Sequence, residues 1–263
     1  MSNLGDRLKR LHKPIATLGF GVPGGAPEKR RILVLVRCDV PVDDPVFGAI
    51  EEAADAVVIV PGLPGHEELV ARLGARHSTL ALGVWAVGAR DLPAEAASPG
   101  CDFLVCDVDA PVEALPREGR GGIMVLSPDI EASRARAIAE LGIDAVLPAP
   151  ESIDLSRASS LVECRRLYAI TGKPVVVCVR EPLTEAQLVA LWRGGVDALL
   201  VDASAGGDVL KSLRSSIAKA RFGSRAGMGG APAAIGAFVG AFGLPEVADA
   251  DDGGDDEEPD DDD

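Results

Sequence analysis

The stretch Gly195-Val196-Asp197-Ala198-Leu199-Leu200-Val201 has three near-copies earlier in the chain. They are Ala54-Asp55-Ala56-Val57-Val58-Ile59-Val60, Gly100-Cys101-Asp102-Phe103-Leu104-Val105-Cys106 and Gly142-Ile143-Asp144-Ala145-Val146-Leu147. The shared aspartates lie 47, 42 and 53 residues apart (55 to 102, 102 to 144, 144 to 197), so one unit recurs four times. In each copy a small residue that can end a helix precedes an apolar, β-branched run of strand length. A second such run precedes each copy or falls between copies, at residues 32–36, 80–87, 123–126 and 175–179. Two strands in each of four units make eight.

The segments between the runs carry helix signals. Asp44-Pro45 places a cap before a first-turn proline, and Thr184 with Gln187 forms a capping box. Leu188, Leu191, Trp192 and Gly195 follow at helical spacing, as do Ile130, Ala137, Ile138 and Leu141. The longest helix covers residues 161–170 and closes at Gly172-Lys173-Pro174. Buried strands alternating with helices form either an open doubly wound sheet or a closed ring, and fourfold repetition favours the ring because no strand is then left as an edge. The expected fold is therefore α/β, a (β/α)8 TIM barrel over residues 31–222. Within residues 1–30, Leu4, Leu8 and Leu11 mark an amphipathic capping helix over 2–13, ended by Pro14. A Gly/Pro-rich linker at 19–25 joins it to the barrel, and residues 15–20 are a candidate extra strand.

Composition narrows the function. The chain has 263 residues, 47% apolar and 25% charged, which suits a large buried core. Of the formal charge of −15, the twelve carboxylates of residues 246–263 supply −12 and leave −3 for everything else. Nine aromatics (6 Phe, 2 Trp, 1 Tyr) and no basic stripe argue against nucleic-acid binding. No apolar run is long enough to span a membrane, and the charged N-terminus is unlike a signal peptide, so a cytoplasmic location is expected. The five cysteines contain no CxxC pair and read as reduced thiols, mostly buried.

The Gly-x-Asp-apolar repeat resembles the small barrels that bind phosphorylated substrates or flavin, of the thiamine-phosphate synthase, histidine-biosynthesis and nitronate monooxygenase types. That resemblance implies chemistry at the C-terminal ends of the strands. There stand Arg37, Cys38 and Asp39 after the first strand, Trp85 after the third, Cys106, Asp107 and Asp109 after the fourth, and Ser127 with Asp129 after the fifth. Arg180-Glu181 follows the seventh strand, and Asp202 and Ser204 the eighth. Asp39 with Asp129 resembles the acid pair of the histidine-biosynthesis barrels.

No lysine or histidine falls at these positions. Lys173 precedes the seventh strand and so belongs to the opposite face, which excludes a Schiff-base lysine, and a three-histidine metal site is excluded likewise. Asp107 and Asp202 occupy equal offsets in their repeats, so strand alternation gives them equal facing. With Asp39 and Glu181 they are the candidate catalytic acids and bases. Asp107 and Asp202 are also the candidate ligands for Mg²⁺, a hard cation that prefers oxygen. Arg37 and Arg180 either grip an anionic substrate or pair with Asp39 and Glu181. Ser204, Gly206 and Gly207 are a candidate anion-binding turn, although Asp208 stands where the cap belongs. A flavin needs similar phosphate contacts and ranks below Mg²⁺. Asp44, Asp109, Asp129, Asp154 and Asp208 read as helix caps, and Cys38, Cys106 and Cys178 as small buried hydrophobes.

After the barrel, residues 223–245 are rich in Gly and Ala and include an apolar run between Pro232 and Pro245; residues 246–263 form an acidic, disordered tail. Two readings follow. The first is a lyase or isomerase acting on a small anionic metabolite, phosphorylated metabolites included, through mouth carboxylates. The second is a non-catalytic barrel that serves as a scaffold, meeting a second copy or a protein partner through residues 224–263.

Overall fold

The computed structural model describes residues 2–12, 31–76, 80–97 and 100–222. Eight parallel strands close into a barrel in chain order. They are β1 (Leu33–Cys38), β2 (Ala56–Ile59), β3 (Ala81–Trp85), β4 (Phe103–Cys106), β5 (Gly121–Leu126), β6 (Ala145–Pro148), β7 (Val175–Val179) and β8 (Val196–Asp202). The helices are α1 (Asn3–His12), α2 (Asp44–Ala53), α3 (His66–Arg76), α4 (Ala132–Glu140), α5 (Ala158–Thr171), α6 (Glu185–Arg193) and α7 (Gly207–Lys219). The fold is thus the α/β TIM barrel that the fourfold repeat implies. One compact unit covers Met1–Ala226. The expected strand at 15–20, the linker at 19–25 and all of 223–263 lie outside the described residues.

Alternation along each strand divides the apolar residues between two cores. Leu33, Leu35, Ala56, Val58, Ala81, Phe103, Val105, Ile123, Leu147 and Leu200 fill the barrel, while Val34, Val36, Val57, Leu104, Val146 and Val201 meet the helices. Leu4, Leu8 and Leu11 of α1 join the inner core and plug the N-terminal end of the barrel.

The repeated aspartates turn out to organise that same end. Asp102 accepts hydrogen bonds from the N–H groups of Asn3 (2.7 Å) and Leu4 (3.0 Å), the first of α1, which have no partner within the helix. Asp144 accepts from the Ser2 hydroxyl at 2.7 Å. Asp55 and Asp197, both fully buried, reach back to the preceding odd strand and accept the Val34 N–H at 3.0 Å and the Val175 N–H at 3.4 Å. Two copies of the motif therefore clamp strands and two hold the plug.

The connections differ from expectation in two places. Among the described residues, strands β3 and β4 are followed by 3-10 turns at Ala94–Ala97 and Val112–Ala114 instead of α-helices. Gly88, Pro93, Pro111, Pro116 and Gly119 interrupt these segments and leave no run long enough for an amphipathic helix. Arg120, buried, ties the two turns together by donating to the carbonyls of Ala96, Glu113 and Leu115.

Several caps also move. Asp43, one residue before Asp44, caps α2 by accepting from the Val46 N–H. The Thr184–Gln187 box forms as expected. Gly206, not Asp208, is the residue before α7, while Glu131 and Arg157, the residues before α4 and α5, give no side-chain cap. Asp154 instead organises the turn ahead of α5 through Ser156 and Arg157.

Candidate functional site at the barrel mouth

Ring closure pairs β1 with β8 so that Arg37 and Asp202 are direct neighbours. Both are inward positions, in phase with Leu35 and Leu200. The two side chains form a bidentate pair, with Arg37 Nε to Asp202 Oδ1 at 2.7 Å and Nη2 to Oδ2 at 2.9 Å. Trp85 of β3 completes the cluster, its ring 4.5 Å from the Arg37 guanidinium carbon. Arg37 and Asp202 are only about one-fifth exposed, at 20% and 23%. The guanidinium is thus held at the mouth by a carboxylate and an indole. Its Nη1 takes no part in the pair with Asp202.

The other candidate acids are committed to the loops. Asp39 accepts from Ser204 twice, from the backbone N–H at 3.1 Å and the hydroxyl at 2.6 Å. The Asp39 carboxylate therefore fills the very place an anion would take beside Ser204. Asp107 accepts from the N–H groups of Gly88 (2.6 Å) and Asp109 (3.0 Å), one on each oxygen. It stands in phase with Phe103 and Val105, on the strand opposite β8 in the ring. Arg37 is paired, but with Asp202 rather than Asp39, because the β1–β8 register sets residue 37 against 202 and leaves residue 39 level with the loop at 204.

Arg180 and Glu181 are exposed just past the end of β7 and line a groove of about 550 Å³ with Glu151, Asp154, Cys178 and Gln187. Gly206, with φ of 89°, ends the turn after β8, and Gly207 opens α7 where an added Cβ would lie 3.1 Å from the Ala49 Cβ. Close packing of α7 on α2 accounts for that glycine without a ligand.

The donor set does not suit Mg²⁺ as placed. Both Asp202 oxygens face a guanidinium and both Asp107 oxygens face N–H groups; among the described residues no cluster of three or more His, Cys, Asp or Glu could hold a metal ion. Cysteine chemistry is equally unprovided for. Burial pushes the Cys38 thiol up to about 12, with Asp39 adding to it, and burial with Asp107 pushes Cys106 up to about 11. Cys178 is raised to about 12 by burial, against a downward pull from Arg37 and Arg180. All three stay protonated at neutral pH. Lys173 lies at the N-terminal face near Asp144 and Lys9, where burial lowers its pKa. A second cleft, of about 470 Å³, opens outside the barrel beside the turn that replaces the helix after β3, lined by His66, Glu95 and Cys101.

No family model and no curated protein matches the chain. Solved structures match its architecture at low identity. A cube-shaped porous cage designed by fusing symmetric oligomeric domains aligns with TM-score 0.54 and 17% identity over 72% of this chain and 73% of its own. The native KDPGal structure aligns with TM-score 0.53 and 18% identity, over 71% and 95%. A tryptophan synthase α-subunit of Pyrococcus furiosus aligns with TM-score 0.50 and 16% identity over the same shares. At these identities the likeness is one of fold. No helix among the described residues is long and apolar enough to cross a membrane.

The pairing of Arg37 with Asp202 was hidden in the sequence. The only signal for it was the ring itself, which makes the first and last strands neighbours; equal offsets from their starts would have set Arg37 against Leu200, and the two-residue stagger that brings it to Asp202 instead comes from the register.

Proposed function

We propose that this barrel acts on a small anionic metabolite by lyase or isomerase chemistry, with the inner rim of the mouth as its site. The observation that carries the reading is the guanidinium of Arg37, fixed by Asp202 and Trp85 with Nη1 outside that pair. A guanidinium already locked in orientation loses little entropy on gripping a planar or tetrahedral anion. Asp202 positions Arg37. Asp107, across the ring, is the group for moving a proton, since each of its oxygens keeps a lone pair beyond the one given to a loop N–H.

Thermal-shift measurements on the full chain with inorganic phosphate and a set of phosphorylated metabolites test this. A ligand that binds the native state raises the melting temperature. Arg37→Lys is expected to fold and to lose about tenfold or more in affinity, because an ammonium cannot make the two-pronged pair with Asp202 that fixes the guanidinium. The reading fails if no anion shifts the wild type, or if the lysine variant binds as well.

A second reading draws on Asp39 and Asp107, whose oxygens all accept from groups of the mouth loops. On this view the barrel is a scaffold, and its contacts run through the residues beyond 223. Sedimentation of the full chain against one ending at Ala226 separates the two. A scaffold loses its assembled mass on truncation; an enzyme keeps both mass and ligand binding.

A further inference from the structure

Strand register sets a second arginine level with the first. Val201 pairs with Val36 on one side and Val179 on the other, and the next residues along are Asp202, Arg37 and Arg180. By continuation of that register Arg180, just past the end of β7, stands level with Asp202 and Arg37 and in sequence phase with Val176 and Cys178. Asp202 gives both oxygens to Arg37. Arg180 makes no hydrogen bond or ion pair within the described residues. The row holds two positive charges to one negative, and the surplus sits on Arg180.

Arg180 lines the groove of about 550 Å³ between the segments that follow β6 and β7. Cys178, two residues earlier, lines that groove and also packs against the inner core. Mouth and groove thus share a wall. Of the acids in the groove, Asp154 is engaged by Ser156 and Arg157, while Glu151 and Glu181 are exposed.

We infer that the substrate carries two anionic groups, one held at Arg37 in the mouth and the other at Arg180 in the groove. This rests on the anionic-metabolite reading above and specifies its class. β7 and β1 are second neighbours in the ring, so their backbones lie about 10 Å apart. Two side chains leaning towards each other over that span fit a short chain of about three or four carbons with an anion at each end. Glu151 and Glu181 repel longer polyanions from the outer groove.

Calorimetric titration of the full chain with 3-phosphoglycerate and with glycerol 3-phosphate isolates the second anion, since both carry a phosphate and only the first a carboxylate. Wild type is expected to bind 3-phosphoglycerate about tenfold tighter. Arg180→Gln is expected to abolish that preference while leaving glycerol 3-phosphate within about twofold. Equal affinities in the wild type, or a preference that survives Arg180→Gln, overturns this inference and leaves the anionic-metabolite reading standing. Failure of the wild type to bind either compound, or any anion of the thermal-shift set, overturns both.

Discussion

Gly83→Ala is expected to cost about 3 kcal/mol of stability, at the upper end for an overpacked core. A Cβ at this position in β3 would lie 2.4 Å from two ring carbons of Phe103, the large side chain that fills the barrel from β4. Phe103 is fully buried, and its ring is rigid, so the clash is relieved only by moving a strand. Shrinking the partner tests this account. Phe103→Leu in the Gly83→Ala background should recover more than half of the loss, although Phe103→Leu alone is destabilising. Urea unfolding of the two single variants and the double gives the coupling. Strict additivity would show that glycine is needed at 83 for some reason other than the ring.

Asp55→Ala is the second large effect, about 3 kcal/mol. Its carboxylate, 1% exposed, accepts the Val34 N–H at 3.0 Å and faces Arg214 of α7 at 3.4 Å. Removal leaves a buried N–H without this acceptor and takes away the carboxylate that faces a largely buried guanidinium, each a costly change. Because Val34 is the second residue of β1 and Arg214 belongs to the last helix, the loss should fall on the seam where the ring closes. Hydrogen exchange is expected to show faster opening of β1 and β8 than of β4 and β5. A variant with uniform protection across the ring would disprove this role. Asp55→Asn retains an acceptor and should lose less.

Both predictions fall on residues that are prominent in the sequence for other reasons. The repeated aspartates revealed the fourfold architecture, and each was read only as the start of a strand; their side chains prove to clamp strands or to hold α1. The residues singled out for chemistry reach the mouth as expected from the strand ends, but proximity to it did not specify their partners. Asp39 meets Ser204, and Asp107 meets its own and the preceding loop. The helices expected after β3 and β4 are absent because Pro and Gly divide those segments, which the composition of 88–119 already contained.

Strand number, ring closure, the plug helix and the division into inner and outer core were determined by the sequence alone. Each depends on local periodicity or repetition, and a continuous apolar run buries both of its faces wherever the strand is placed. The tertiary structure alone decided that Arg37 lies against Asp202 and under Trp85, and that Arg180 stands level with them. Arg37 and Asp202 are separated by 165 positions in the chain. Their meeting depends on the stagger with which eight strands close on one another, a collective property of the ring that no single strand encodes.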